Sequence, residues 1–318
     1  MPKYRIKHIT KYSYPSPVID SANQVMLFPL DDEQQAVRKH DLLITHQPSV
    51  EIFTDYFGNK VGIFSVIRPH TELAIESIIE VITREAKLPE ENAAPAAQWD
   101  NLSTIREQFP YMDFLSTEHC EQLEEITAVI GSIMDKNTSP FIVAERLSSF
   151  VCNHFEYKKG VTGIETEVDE IWKLKAGVCQ DFAHVLLVML RLVGIPARYV
   201  SGYICPKNHE LRGEGATHAW VEAYIPSHGW IGLDPTNNCI ASDRHVRLAV
   251  GRHFTDCTPV KGTYKGSSEH TLQVSVVIEN GQPRTEDIAV TPVFTYQVHN
   301  PAKPDNSYRR FMEMQQQQ

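Results

Sequence analysis

The chain has 318 residues, 42% of them hydrophobic and 22% charged, so it can bury a core of real size, and its length suits two domains or one large domain with an extension. Its formal net charge of −10 argues against nucleic acid or an anionic membrane surface as partner, because both rest on Lys and Arg meeting phosphate. No apolar run follows Lys3, Arg5 and Lys7, so no signal peptide is read; the most apolar stretch, 185–195, is broken by Arg191 and too short to span a bilayer, and the cytoplasm is the expected location.

Residues 3–14 alternate with period two, placing Tyr4, Ile6, His8, Thr10, Tyr12 and Tyr14 on one face of a strand. Residues 50–57 run into Gly58-Asn59 and then VGIFSVI, which predicts a hairpin, and 73–84 are again rich in β-branched residues. Residues 1–85 therefore read as an antiparallel, β-sandwich-like domain. Residues 86–100, with Pro89, Pro95 and small neighbours, read as a linker to a core over 101–250.

In that core Leu123, Ile126, Val129, Ile130, Ile133 and Met134 predict an amphipathic helix, and Pro140 opens another carrying Ile142, Val143, Leu147, Phe150 and Val151. A short helix is expected at 169–174. The helix over 178–193 is apolar on nearly every side after its first turn, so it should be buried, and Gly194 and Pro196 end it. Strands are expected at 197–204, 217–225 and 230–234. Residues 251–318 read as a C-terminal β extension with a strand at 272–279 and a disordered, Gln-rich end. The element order gives an α+β chain, with helices packed on an antiparallel sheet and a β domain ahead of them.

Six cysteines stand at 120, 152, 179, 205, 239 and 257, none as Cys-x-x-Cys, and read as thiols. No Cys or His pair has zinc-ligand spacing, and there is neither an EF-hand loop nor a Gly-rich phosphate loop, so no metal or cofactor is expected.

Cys179 opens the buried helix, where free N–H groups and the helix dipole favour a thiolate and can donate to an oxyanion. Gly177 just before it would let a substrate backbone come close. His218 begins the strand HAWVEAYI, sharing a face with Trp220, Glu222 and Tyr224, and can take a thiol proton and return it to a leaving amine. Asp234 ends the strand WIGLD and can accept the imidazole N–H. For that, His218 and Asp234 must lie on one face of neighbouring antiparallel strands, so paired residues must have an even index sum and the loop between must hold an odd number of residues, such as the five of 225–229. A four-residue loop without a bulge would turn Asp234 away.

The stretches GVCQDFAHVLLVMLRLVGIPARYVSGY, HAWVEAY and GWIGLDPTNN resemble, taken together, the core of the transglutaminase-like superfamily in its bacterial branch, over about residues 140–250. YRIKHITKYSY and DYFGNKV resemble the β domain that precedes that core, and GRHFTDCTPVKGTYKG its continuation. The resemblance implies a papain-like layout in which Cys179 is the nucleophile, His218 the base and Asp234 its orienting carboxylate, acting on an amide through an acyl-enzyme thioester. Tyr157 and Gln180 are candidates at the oxyanion or substrate wall, and Trp220 is expected as a wall beside His218. Asp181 is as well suited to bracing the helix, His184 to a core role, Glu222 to bonding backbone near the site, and Cys205 and Cys239 to packing.

The expected substrate is a protein or peptide, and hydrolysis of a peptidase or isopeptidase kind comes first, because nothing marks an amine site. Acyl transfer to an amine, as by a protein-glutamine gamma-glutamyltransferase, is the alternative. A silent binding module, or peptide capture at an edge of the β domain, is the reading outside catalysis.

Overall fold

A computed structural model describes residues 1–281, apart from 91–92, 118–119, 164–165, 206–210, 214–215 and 267–269, together with the backbone of 294–297. Strands β1 (Lys3–Val25), β2 (Gln35–Ile44), β3 (Glu51–Thr54), β4 (Lys60–Val66) and β5 (His70–Thr83) come first. Helices α1 (Pro95–Ile105), α2 (Leu123–Ile133) and α3 (Pro140–His154) follow, then β6 (Glu156–Tyr157), α4 (Val168–Leu174), β7 (Ala176–Gly177) and α5 (Cys179–Leu192). The chain continues through β8 (Ala197–Ile204), β9 (Thr217–Ile225), β10 (Gly229–Asp234), β11 (Cys239–Ile240), β12 (His245–Gly251), β13 (Val260–Lys265), β14 (Thr271–Asn280) and β15 (Phe294–Gln297). The Gln-rich end expected to be disordered lies outside the described residues.

The period-two face of β1 is as read: Tyr4, Ile6, His8, Thr10, Tyr12 and Tyr14 are all buried. The strand does not stop at Pro15, however. Its register slips between Ser13 and Val18, where Pro15 and Pro17 have no N–H to give a ladder. Upstream of the slip β1 pairs with β5 and β14; downstream it pairs with β4 and β13. One bent strand thus belongs to two antiparallel sheets, and the C-terminal strands return to complete the layer that the N-terminal ones begin. β2 escaped the sequence reading because it is an edge strand on β5 whose residues are mostly half-exposed, so it lacks alternation.

The expected linker over 86–100 is corrected at its second half, where α1 starts at Pro95. Proline suits a first helical position, since its missing N–H would have no partner there. The helix is anchored by buried Leu102 and by Trp99 Nε1–H donating to the Thr138 carbonyl at 3.0 Å.

The helices pack on the second sheet, of order β11-β10-β9-β8-β12. α5 is buried along nearly its whole length, as its sequence demands. Arg191, the one cation in its apolar run, is buried too. Its guanidinium donates to the carbonyls of Ala197, Ser116 and Arg252.

The β layer grips β12 with two buried amides. Asn59 accepts the Val250 N–H at 2.8 Å and donates to the Val250 carbonyl at 2.7 Å. Gln35 does the same to Arg247, at 2.8 and 2.9 Å. A side-chain amide carries one acceptor and a donor pair, so each mimics a strand neighbour. His8 Nδ1 meets the Tyr203 hydroxyl at 2.9 Å in the same interface, and a single hydrophobic core runs from β1 to α5. Among the described residues no helix is long and apolar enough to cross a membrane.

Replacing Arg191 by Met keeps its volume but strips donors from three carbonyls. It is expected to destabilise the fold by about 2–4 kcal/mol in urea unfolding at pH 7.

Candidate active site

Cys179 is the first helical residue of α5. The helix start is built by Asp181, whose Oδ2 accepts the Val178 N–H at 2.7 Å and the Thr162 hydroxyl at 2.6 Å. A side chain at Gly177 would collide with that carboxylate. Gly177 is therefore required by Asp181. Burial pushes the Asp181 carboxyl up, against the two hydrogen bonds that hold it down.

The strand parity that the triad needs is present. Gly229 pairs with Ile225 and Leu233 with Val221, so index sums are even and the loop is the three residues 226–228, not the five of 225–229. One step further Asp234 comes level with Trp220, on the face His218 occupies. The two meet diagonally: His218 Nε2–H donates to Asp234 Oδ2 at 2.8 Å. His218 Nδ1 makes no hydrogen bond among the described residues, and the thiol of Cys179 sits beside the ring, close enough to act on its protonation.

Asp234 has no solvent exposure. Its Oδ1 accepts the N–H groups of Thr236 at 3.0 Å and Asn237 at 3.3 Å; its Oδ2 also takes Asn237 Nδ2–H at 2.8 Å and His245 Nε2–H at 3.3 Å. Burial alone would raise its pKa, but His218 and His245 outweigh it and hold the carboxyl far below its usual range. For His218 burial works downward, and the charges of Asp234 and Cys179 with the hydrogen bond to Asp234 overcome it, raising the imidazole to about 10.

Residues 211–213, ahead of β9, reach this pair. Gly213, at φ +80°, is so close that a Cβ there would stand 2.9 Å from His218 Nδ1. Asn237 ties Arg212 down: its Oδ1 accepts the Arg212 N–H at 2.7 Å and its Nδ2 donates to the Arg212 carbonyl at 3.2 Å. Neither Gly213 nor His245 announces itself in the sequence, because each reaches the site only through the fold. Asn237 had a readable sign in Asp-Pro-Thr-Asn, a run suited to a side-chain-capped turn.

Tyr157 pairs in parallel with Gly177, two residues ahead of Cys179, and its ring lies edge-on to Phe182 at 6.3 Å. Burial and then the negative charge of Cys179 push its phenol up, so it keeps its proton and remains a donor. Trp220 stacks beside His218 at 6.2 Å but is wholly buried, so it backs the imidazole from inside and offers substrate no surface. Gln180 is half-exposed next to the thiol.

Glu222 does not bond backbone near the site: it is paired with Arg198 at 2.6 Å and Arg247 at 3.2 Å, and Arg247 also meets Asp32 of the β layer. Two guanidiniums are the partners a buried carboxylate needs. His184 accepts the Phe254 N–H at 3.4 Å and stacks on His253, a core role as expected. Cys205 is buried, and burial raises the Cys239 thiol to about 12.

Ligand atoms of His218, Asp234 and His245 lie within 4.8 Å of one another, a grouping that a metal ion could use. Both Nε2 atoms are already turned onto the carboxylate by hydrogen bonds, which account for the grouping without an ion.

The two shifts set a pH window. His218 is raised, so its contribution to stability is complete below about 6.5, its unfolded value, and is lost as pH climbs through about 10. Asp234 is depressed, so its contribution is present above about 3.9 and fades only as pH falls well below that. The stability advantage of the native chain over Asp234→Asn is therefore expected to be greatest at pH 4–6.5 and to shrink toward pH 10, with the His218 ring titrating below 6.5 in the variant when followed by proton NMR.

Sequence profiles place the rest in context. Residues 127–235 match the transglutaminase-like superfamily core and residues 4–82 the bacterial transglutaminase-like N-terminal region. An uncharacterized protein of Mycobacterium leprae is 32% identical over 279 residues, covering 87% of this chain and 98% of its own length. A protein-glutamine gamma-glutamyltransferase of Pseudomonas aeruginosa is 28% identical over 155 residues, 47% of this chain and 21% of that protein. A crystal structure from Cytophaga hutchinsonii shares the fold with a TM-score of 0.68 at 20% identity, over 91% of this chain and 94% of that one. The chain belongs to the transglutaminase-like superfamily and carries that family's bacterial N-terminal region ahead of the core.

Proposed function

We propose that the chain is a cysteine-nucleophile enzyme acting on amide bonds of a protein or peptide through an acyl-enzyme thioester, a hydrolase of the peptidase or isopeptidase kind. The observation that carries this reading is the buried His218–Asp234 pair at 2.8 Å, with the imidazole beside a thiol at a helix start.

His218 takes the proton of Cys179, and the charge of Asp234 stabilises the imidazolium so formed. Sγ attacks the amide carbon. The resulting oxyanion meets the Cys179 backbone N–H and the hydroxyl of Tyr157. The imidazolium gives its proton to the leaving nitrogen, the C–N bond breaks, and an amine departs from a thioester. Water then yields a proton to His218 and adds to the thioester carbon; collapse releases a carboxylic acid and restores the thiol. Asp234 keeps one proton on Nε2 throughout and stabilises the cation.

The Pseudomonas aeruginosa relative, by its name, favours a second reading in which an amine replaces water as acceptor. The two share every step up to the thioester.

Turnover of glutamine-containing and lysine-linked peptides tests both. Release of amine or ammonia is expected, with Cys179→Ala lowering kcat by about a thousandfold or more. Added hydroxylamine should trap the thioester as a hydroxamate. Products formed with amines but never with water favour the transferase, and a folded chain that turns over none of these amides supports a binding module instead.

A further inference from the structure

Two histidines share the carboxylate of Asp234, and the chemistry above uses only His218. We propose that His245 is a positioning residue of this site, through which the β layer holds the Asp234 carboxylate against His218. The inference rests on the role just given to Asp234.

The five-stranded sheet has β11 at one edge and β12 at the other, so residues 241–244 carry the chain between its two edges. This crossing is fixed from the β layer. The Thr83 hydroxyl at the end of β5 donates to the Asp243 carbonyl at 2.5 Å, and the Ala86 N–H donates to Ser242 Oγ at 3.0 Å. Within the crossing, the His245 N–H donates to the Ser242 carbonyl at 2.9 Å and the Ser242 N–H donates to His245 Nδ1 at 3.3 Å. Nδ1 is thereby an acceptor, so the proton of the neutral ring sits on Nε2, and Nε2 faces Asp234 Oδ2 at 3.3 Å. Trp220 packs against the ring at 5.1 Å and 74°, while Gln35 holds both backbone groups of Arg247 two residues on.

Other donors to Asp234 come from Thr236 and Asn237, in its own turn, and move with it. Among the described residues, His245 is the one donor besides His218 that is anchored elsewhere. It is therefore the contact that fixes the carboxylate relative to the rest of the fold. A side chain acting this way supports the base without touching substrate.

The test uses the full-length chain with 15N-labelled histidine. The His218 Nε2–H, bonded to a buried carboxylate, is expected as a downfield proton resonance. In His245→Leu it should move upfield, and kcat should fall about tenfold, the size of one hydrogen bond to a charged group, with KM unchanged. His245→Gln, whose amide can donate from a similar place, should restore both. Thr83→Val, in the β layer, should shift the same resonance the same way by less. In an Asp234→Ala background, His245→Leu should cost nothing further, because its effect passes through the carboxylate. An unmoved resonance in His245→Leu, or an equal loss in the Asp234→Ala background, overturns the proposal. Should the native chain turn over no amide, the catalytic reading falls, while the resonance still decides whether His245 holds the carboxylate.

Discussion

The site depends on keeping one negative charge where water cannot reach it. An ionised carboxylate with the burial of Asp234 would cost several kcal/mol without partners. Five donors supply them: two imidazoles, one side-chain amide and two backbone N–H groups. Remove that set and burial would favour a protonated acid, His218 would lose its counter-charge, and its own burial would drive it neutral. The raised imidazole and the depressed carboxyl are therefore one arrangement seen from two sides.

That constraint explains features of the fold that are otherwise unconnected. The even register of β9 and β10 turns His218 and Asp234 to one face. Gly177 leaves room for Asp181 to set the start of α5, which fixes where Cys179 stands. The amides of Asn59 and Gln35 dock the β layer onto β12, so the strand that begins at His245 is held from outside the core. The N-terminal layer is thus part of the scaffold of the site, consistent with a hydrophobic core that does not divide between them.

Much of the site was legible in sequence because its chemistry is local. A thiol at a helix start, a histidine opening one strand and an aspartate closing the next can all be read from period and punctuation, and strand parity then says whether two of them can meet. What could not be read came from contacts between distant segments. His245 follows a turn with no motif and reaches Asp234 only because the chain crosses between sheet edges. Gly213 touches His218 across a loop. Glu222 takes its partners, Arg198 and Arg247, from other strands, which its own sequence neighbours do not show. In the β layer, Pro15 and Pro17 looked like an end but mark the bend where β1 changes sheets, and the closing of that layer by β13 and β14 is a pairing across more than two hundred residues.

Whether His218 and Cys179 act as a pair is read most directly by the pH–rate profile of iodoacetamide alkylation, with peptide mapping of the modified thiol. Cys179 is expected to be alkylated rapidly at pH 6, ahead of the other five thiols, and His218→Ala to lose at least about tenfold of that low-pH rate. A Cys179 that reacts no faster than an ordinary thiol at pH 6, with or without His218, would contradict the pairing.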